Sequence, residues 1–146
     1  MKEVTLYTDG FCKPNPGHGG WAAILLFSHR EKELSGAEVD TTNNRMELTA
    51  AIKGLLALSE PCQVNLYTDS EYLRQGITKW LVTWKKHRWK TSAKTAVKNQ
   101  DLWQALDELT SRHVIAWHWV KGHSGNHYNE RCDELAAKAS LHGTTH

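Results

Sequence analysis

Two segments of the chain repeat one pattern sixty positions apart. Val4-Thr5-Leu6-Tyr7-Thr8-Asp9-Gly10 and Val64-Asn65-Leu66-Tyr67-Thr68-Asp69-Ser70 share V-x-L-Y-T-D followed by a small residue. Each alternates like a β-strand and runs out into an aspartate. If the two strands lie parallel and adjacent, both carboxylates emerge at the carboxyl edge of the sheet, where open α/β sheets place their sites. Taken singly, Asp9 before glycine and Asp69 before serine read equally well as turn formers or helix N-caps. Glu47 sits between Met46 and Leu48 in a helical apolar pattern, so its side chain leans toward the core edge. Asp133, next to Cys132 in Asn129-Glu130-Arg131-Cys132-Asp133-Glu134-Leu135-Ala136, has the same character, while Glu130 and Glu134 read as helix-surface charges.

Two like charges 4 Å apart repel by about 4 kcal/mol at an effective dielectric near 20, so gathering such carboxylates requires protons or bound cations. An oxygen-only donor set suits Mg²⁺, which prefers octahedral oxygen coordination and often completes its shell with water and phosphate. Lys121-Gly122-His123-Ser124-Gly125 adds a histidine in a glycine-bounded loop, a place from which it can carry a proton near neutral pH. Among nine histidines, one loop position by itself is a weak signal.

A second kind of chemistry is written in the distribution of charge. From Gly76 to Gln100 there is no acidic residue, while Lys79, Lys85, Lys86, Arg88, Lys90, Lys94 and Lys98 supply seven positive charges in 25 positions. Trp80, Trp84 and Trp89 fall in the same stretch and Trp103 just beyond it. Basic residues interleaved with aromatics suit a phosphate backbone together with sugar or base faces. The competing reading is that Trp80 and Trp84, spaced i,i+4, pin a helix to the core while the lysines solvate its outer face.

The elements that must position these groups are legible in outline. Residues 4–8, 19–27, 32–39, 62–68 and 114–120 read as strands, and 43–58, 101–109 and 129–141 carry helical spacing. Gly10, Pro14, Asn15, Pro16, Gly17, Gly19 and Gly20 punctuate the connection between the first two strands, which predicts a hairpin. Without a linker, repeat or low-complexity tract, the 146 residues read as one α/β layered domain spanning 1–146.

Composition bounds the rest. With 40% hydrophobic and 23% charged residues the chain has the profile of a soluble globular protein. Its longest apolar run, WAAILLF at 21–27, is far short of a bilayer span, and MKEVTLY is not a signal peptide. Membrane and secretory classes are therefore not expected. Three cysteines, Cys12, Cys62 and Cys132, form no CxxC pair and suit neither a disulfide framework nor a thiolate zinc site, which points to a reducing, cytoplasmic setting. The net charge of +2 makes no case for a polyanionic partner; only the local basic run does.

Six blocks taken together, Tyr7-Thr8-Asp9-Gly10, Asn15-Pro16-Gly17, Thr42-Asn43-Asn44-Arg45-Met46-Glu47-Leu48, Tyr67-Thr68-Asp69-Ser70, Trp117-His118-Trp119-Val120-Lys121-Gly122-His123 and Asn129 to Ala136, resemble bacterial type 1 ribonuclease H, in order and over almost the entire chain. The resemblance implies a five-stranded mixed sheet, its first three strands antiparallel and its last two parallel to the first, flanked by helices. It implies endonucleolytic hydrolysis of the RNA strand of an RNA/DNA hybrid, without strong sequence specificity, leaving 3′-hydroxyl and 5′-phosphate ends. By motif position the catalytic, metal-binding carboxylates are Asp9, Glu47, Asp69 and Asp133. They would hold two Mg²⁺ ions, with Mn²⁺ as a substitute, bridging the scissile phosphate. Asp9 would be the shared ligand and His123 would move a proton or assist product release.

The same resemblance brings Cys12, Asn15, Asn43 and Asn44 to the RNA strand, partly through backbone groups, with helix N-capping as a further role for Asn43 and Asn44, and makes Ser70 a further substrate-binding residue. Thr42 and Asn99 would hold a DNA phosphate, and Trp80, Trp84, Lys85, Lys86 and Arg88 would line the DNA-strand groove. A monomer without a small-molecule cofactor is expected. Departures from the family pattern are Glu71, where glutamine is usual, His18 in place of a common proline, and an end five residues after Leu141, from which lower stability is expected; with no hybrid-binding domain ahead of the motifs, a bare catalytic module is expected. Two other classes share features with this reading. A transposase or integrase relative would cut DNA with a similar acidic set, and a non-catalytic nucleic-acid-binding module would lack one of the carboxylates.

Overall fold

Alternating apolar residues on the first strand point to two different helix layers, and that division organises the molecule. In the computed structural model, which describes residues 1–91, 95–121 and 126–142, β1 (Lys2–Cys12), β2 (Gly17–Phe27) and β3 (Arg30–Thr41) form an antiparallel meander. Helix α1 (Asn43–Leu56) follows, then β4 (Cys62–Thr68) parallel to β1. A helical run comes next, made of α2 (Glu71–Gln75), a π-helical stretch (Gly76–Trp80) and α3 (Leu81–Lys86). Helix α4 (Gln100–Arg112), β5 (Val114–Trp119), parallel to β4, and α5 (His127–His142) complete the chain. The sheet order is β3-β2-β1-β4-β5, so β1 is central.

Val4 and Leu6 of β1 join Val64 and Leu66 of β4, Ala23 and Leu25 of β2, and Leu48, Ala51, Ile52 and Leu55 of α1 in one core, which Trp103, Leu106 and Leu109 of α4 extend. Tyr7 points the other way, into a smaller cluster with Ala22, Ile24 and the α5 residues Cys132 and Ala136. The two-residue period of a strand thus gives α1 and α4 one face and α5 the other. Along the second face the rings of Tyr7 and Tyr67 stack at 4.8 Å, and those of Tyr67 and His118 at 4.4 Å. The repeated V-x-L-Y is in spatial register as well as in sequence: Val4 lies opposite Val64, Leu6 opposite Leu66, Tyr7 opposite Tyr67. Among the described residues no helix is long and apolar enough to cross a membrane.

All five expected strands and three expected helices are present, the four residues by which β1 extends beyond Thr8 being held by pairing with β2 rather than by their own alternation. The helical run 71–86 was not in the predicted outline. Its π-helical stretch widens one turn, so apolar positions fall out of the 3.6-residue spacing, and Gly76 with the β-branched Ile77, Thr78, Val82 and Thr83 weakens local propensity.

His113, buried at the end of α4, accepts a hydrogen bond on Nδ1 from the Cys62 backbone N–H at 3.0 Å. Burial holds its pKa below the ordinary 6.5, with Arg112 acting in the same direction. The folded protein therefore keeps this ring neutral, and its contribution to stability is complete above pH 6.5 and is lost as pH falls toward the lowered native value. Replacing His113 with phenylalanine is expected to cost about 1–3 kcal/mol at pH 7.5, because the Cys62 N–H loses its acceptor. Denaturant unfolding of both proteins at pH 7.5 and pH 5 should show that gap narrowing in acid; a constant gap would mean His113 does not titrate on unfolding.

Candidate active site

The strand that carries Asp9 continues past the last residue paired with β4, and β4 itself ends at Thr68, so Asp69 stands at the carboxyl end of the parallel pair beside Asp9. What turns the chain there is not Asp69. The Thr68 hydroxyl accepts from Ser70 N–H at 3.1 Å, and Ser70 Oγ caps α2 by accepting from Leu73 N–H at 3.0 Å. The N-cap reading of Asp69 is thereby corrected, and its carboxylate is left to face the cleft.

Glu47 comes from the helix layer on one side of the sheet. Thr42 caps α1, its side chain accepting from Arg45 N–H at 3.1 Å, so that Glu47 falls in the second turn, 5% exposed, directly over the end of β1. The approach is close: the Gly10 N–H donates both to Asp9 Oδ1 at 2.9 Å and to Glu47 Oε1. A Cβ on residue 10 would overlap the Glu47 backbone, and only glycine lets α1 settle there.

Asp133 arrives from the opposite layer. Cys132 Sγ donates to the Tyr7 carbonyl at 3.3 Å, and Gly20 admits the α5 backbone at Ala136 against β2, again without room for a Cβ. These contacts set Asp133 on the wall of the cleft that Asp9, Glu47 and Asp69 floor, together with Gly10, Phe11, Asn43, Asn44, Ser70, Glu71 and Tyr72.

Carboxylate oxygens of Asp9, Glu47 and Asp69 all lie within 4.8 Å of one another. Burial pushes the Asp9 carboxyl well above the ordinary carboxylate range, and the neighbouring charges of Glu47, Asp69 and Asp133 push the same way. Glu47 is also raised, first by burial, although bonds from its neighbours and from Gly10 N–H oppose the shift. Glu47 Oε2 is buried and has no hydrogen-bond partner among the described residues. A buried, unsatisfied carboxylate oxygen in an all-oxygen cluster fits a hard divalent cation, which would both satisfy that oxygen and neutralise the repulsion.

The other expected residues fall into distinct groups. Asn43 and Asn44 line the cleft as the first helical residues of α1; the cap is Thr42, which corrects their expected capping role. Asn15 Oδ1 accepts from Asn43 N–H at 3.1 Å and so ties the β1–β2 turn to this helix start. The Cys12 thiol is buried and donates to Pro14 O and Thr41 O, which leaves its backbone as the part that can meet a ligand. His123 lies outside the described residues, as does Lys94 of the basic run.

Along that run Trp80 is 36% exposed and Trp84 half-buried, with ring centroids 5.8 Å apart. Trp84 also packs edge-on to the fully buried Trp103 at 5.4 Å. The aromatics therefore anchor a helix and present a face at once, and Trp103 is core. Lys85 is paired with Asp107 of α4 at 3.3 Å, so the acid-free stretch is partly compensated in space. Among the described residues Lys86 and Arg88 have no carboxylate partner. Arg45, which the sequence reading passed over, joins α1 to α4 through a bidentate pair with Asp101 at 2.8 and 3.1 Å and a bond to Asn99 Oδ1 at 3.2 Å. Its only sequence signal is its place in the T-N-N-R-M-E block.

Comparison with known proteins agrees with this geometry. A family model described as RNase H matches residues 1–141. The chain is 64% identical over 139 residues to a ribonuclease H of Hydrogenovibrio crunogenus, covering 95% of this chain and 96% of that protein. It is 62% identical over 136 residues to one from Francisella philomiragia, covering 93% and 90%. Among solved structures, LC9-RNase H1, described as a type 1 RNase H with the type 2 active-site motif, superposes with a TM-score of 0.88 at 28% identity, covering 99% of this chain and 74% of that one. LC11-RNase H1, solved in complex with RNA/DNA hybrid, shares the fold with a TM-score of 0.71 at 20% identity, covering 97% of this chain and 99% of that one.

Because the acidic residues repel one another in the absence of cations, Asp9→Asn is expected to raise the Tm by several degrees in EDTA. Added Mg²⁺ should raise the Tm of the parent protein and leave that of the variant nearly unchanged. Thermal melts with and without the ion check this, and an equal Mg²⁺ response in both proteins would remove Asp9 from the cation site.

Proposed function

The chain belongs to the ribonuclease H family, and from that premise we propose that it hydrolyses the RNA strand of RNA/DNA hybrids with two Mg²⁺ ions held by Asp9, Glu47, Asp69 and Asp133. The observation that carries this reading is the buried meeting of three carboxylates within 4.8 Å, one of them with an unsatisfied oxygen, and a fourth on the same cleft. When bound, such ions supply Lewis-acid activation of water and charge neutralisation at the leaving 3′ oxygen, giving 3′-hydroxyl and 5′-phosphate ends.

The protein's own groups do the rest. Asp9, which accepts from Gly10 N–H and lies beside Glu47 and Asp69, would be the carboxylate shared by the two ions. Asn43 and Asn44, at the mouth of the cleft, present amides to ribose 2′-hydroxyls and sugar oxygens of the RNA strand, with Asn15 holding the helix start in position. Cys12 and Ser70 contribute backbone contacts to the same strand. Thr42 and Asn99, joined through Arg45, receive a phosphate of the DNA strand. Trp80, Trp84, Lys85, Lys86 and Arg88 track the DNA backbone beyond it, a sequence-independent contact by its chemistry. His123 carries a proton or speeds departure of the product. The enzyme so described acts as a cytoplasmic monomer on substrates selected by sugar identity rather than base sequence.

Gel cleavage of end-labelled RNA/DNA hybrid, RNA/RNA and DNA/DNA duplexes, each with Mg²⁺ and with EDTA, is expected to show Mg²⁺-dependent cutting of the hybrid's RNA strand alone. Cutting of duplex DNA would favour a transposase-like enzyme, and binding without cutting a recognition module. Asp9→Asn should abolish cleavage while hybrid is still bound, and His123→Ala should lower kcat by a smaller factor. Reversing the charges of Lys85, Lys86 and Arg88 should weaken hybrid binding and flatten its dependence on salt, by a slope change of about two to three if each meets a phosphate. An unchanged slope would return that segment to a purely structural role.

A further inference from the structure

Hydrogen-bond polarity around Tyr72 leaves one donor unspent. The Arg45 guanidinium can only donate, and its Nη1 reaches Asn99 Oδ1 at 3.2 Å, which fixes the orientation of the Asn99 side-chain amide. The amide nitrogen is thereby turned toward Tyr72, whose hydroxyl oxygen it reaches at 3.0 Å. The indole N–H of the fully buried Trp103 reaches the same oxygen, also at 3.0 Å. Both neighbours are donors, so the phenol oxygen accepts twice and its own proton has no acceptor among the described residues.

The backbone indicates that this arrangement is imposed. Asn99 occupies the N-cap position of α4, where asparagine ordinarily accepts from the first-turn N–H groups, yet it makes no such bond and sits in the left-handed region with φ 60° and ψ 28°. Its side chain is diverted to Arg45 and Tyr72 instead. One of the two amide hydrogens on Asn99 Nδ2 is taken by Tyr72, and the second has no acceptor among the described residues. Two donors without an acceptor among the described residues, one hydroxyl and one amide, thus lie side by side. Tyr72 itself lines the cleft on one flank and is wedged between the rings of Trp80 and Trp103 on the other, at 5.7 and 5.4 Å.

We infer that Tyr72 donates its hydroxyl proton to a backbone phosphate oxygen of the DNA strand, the same phosphate that Asn99 holds. The inference rests on the ribonuclease H reading for the identity of the strand and adds to it a donor that no motif marks. A phosphate oxygen is an acceptor with several lone pairs, which suits two convergent donors, whereas a 2′-hydroxyl or a base amide would not need both. Arg45 is the positioning residue: it does not touch the phosphate in this scheme but dictates which end of the Asn99 amide faces Tyr72.

The test is steady-state cleavage of an RNA/DNA hybrid by the parent enzyme and by Tyr72→Phe, with methylphosphonate, a neutral phosphate analogue, placed at single positions along the DNA strand. Tyr72→Phe should raise KM about 10-fold with kcat changed less than about twofold, the size expected for a hydrogen bond to a charged acceptor. One methylphosphonate position should penalise the parent enzyme and add little to the variant. Penalties that add at every position, or an unchanged KM, would overturn the inference. Because Trp103 loses its acceptor in Tyr72→Phe, the Tm is measured and the assay run well below it. Asn99→Asp supplies a second route: a carboxylate at residue 99 captures the tyrosine proton, so adding Tyr72→Phe to that variant should leave KM where it was, and a further rise would count against the scheme. A parent enzyme that cuts no hybrid would overturn the ribonuclease H reading itself, a result separate from a cutting enzyme indifferent to Tyr72.

Discussion

Like charges held within 4.8 Å in a buried cleft repel, and nearly every special feature of this fold serves to hold Asp9, Glu47 and Asp69 there despite it. The three residues come from the middle of the sheet, the first helix and the end of a parallel strand. No two are close in sequence, so the closure must be maintained by packing. Gly10 lets α1 descend onto β1, and its N–H serves two of the carboxylates. The large core under α1 and α4 supplies apolar burial on that face, roughly 25 cal/mol for each Å² removed from water. On the far face the Tyr7–Tyr67–His118 stack and the small cluster under α5 hold the register that brings Asp133 to the wall. A cluster of this kind costs stability in the absence of cations, as sites built for chemistry commonly do.

The second half of the interface is organised by polarity rather than by repulsion. Thr42 caps α1, Arg45 leaves that helix to grip Asp101 and Asn99, and Asn99 passes the linkage to Tyr72 at the cleft. This chain of bonds ties the carboxylate-bearing helix to the start of α4 and to the aromatic cluster of Trp80, Trp84 and Trp103. The carboxylate cleft and the aromatic face of the helical run are thus held at a fixed separation by a few side chains, and in the function proposed above they meet the two strands. That is what an enzyme needs if it must recognise two strands of different sugar at once.

Much of the architecture was legible because its causes are local. The five strands and the three long helices follow from periods of two and of 3.6, and the hairpin follows from its glycines and prolines. The sixty-residue echo anticipated the pairing of β1 with β4, since two strands with the same alternation turn the same positions to the core when they lie in register. The run 71–86 was missed because a π-helical turn destroys the very periodicity used to find helices. That Lys85 is compensated by Asp107 is invisible in the acid-free stretch, because Asp107 is remote in sequence and close only in space.

By itself, then, the sequence determined which residues have the chemistry: four acids at strand ends and in amphipathic helices, an acid-free basic stretch set with tryptophans, and motif blocks of the RNase H family. Tertiary structure alone decided how those residues are used. Ser70 and Thr42, not Asp69 or Asn43, took the capping roles, while Asp69, Asn43 and Asn44 line the cleft. Arg45 fixed the polarity of Asn99, and two donors converged on Tyr72. Caps and donor directions depend on which groups meet in space, and a hydrogen bond is decided over a few ångströms that no local pattern encodes.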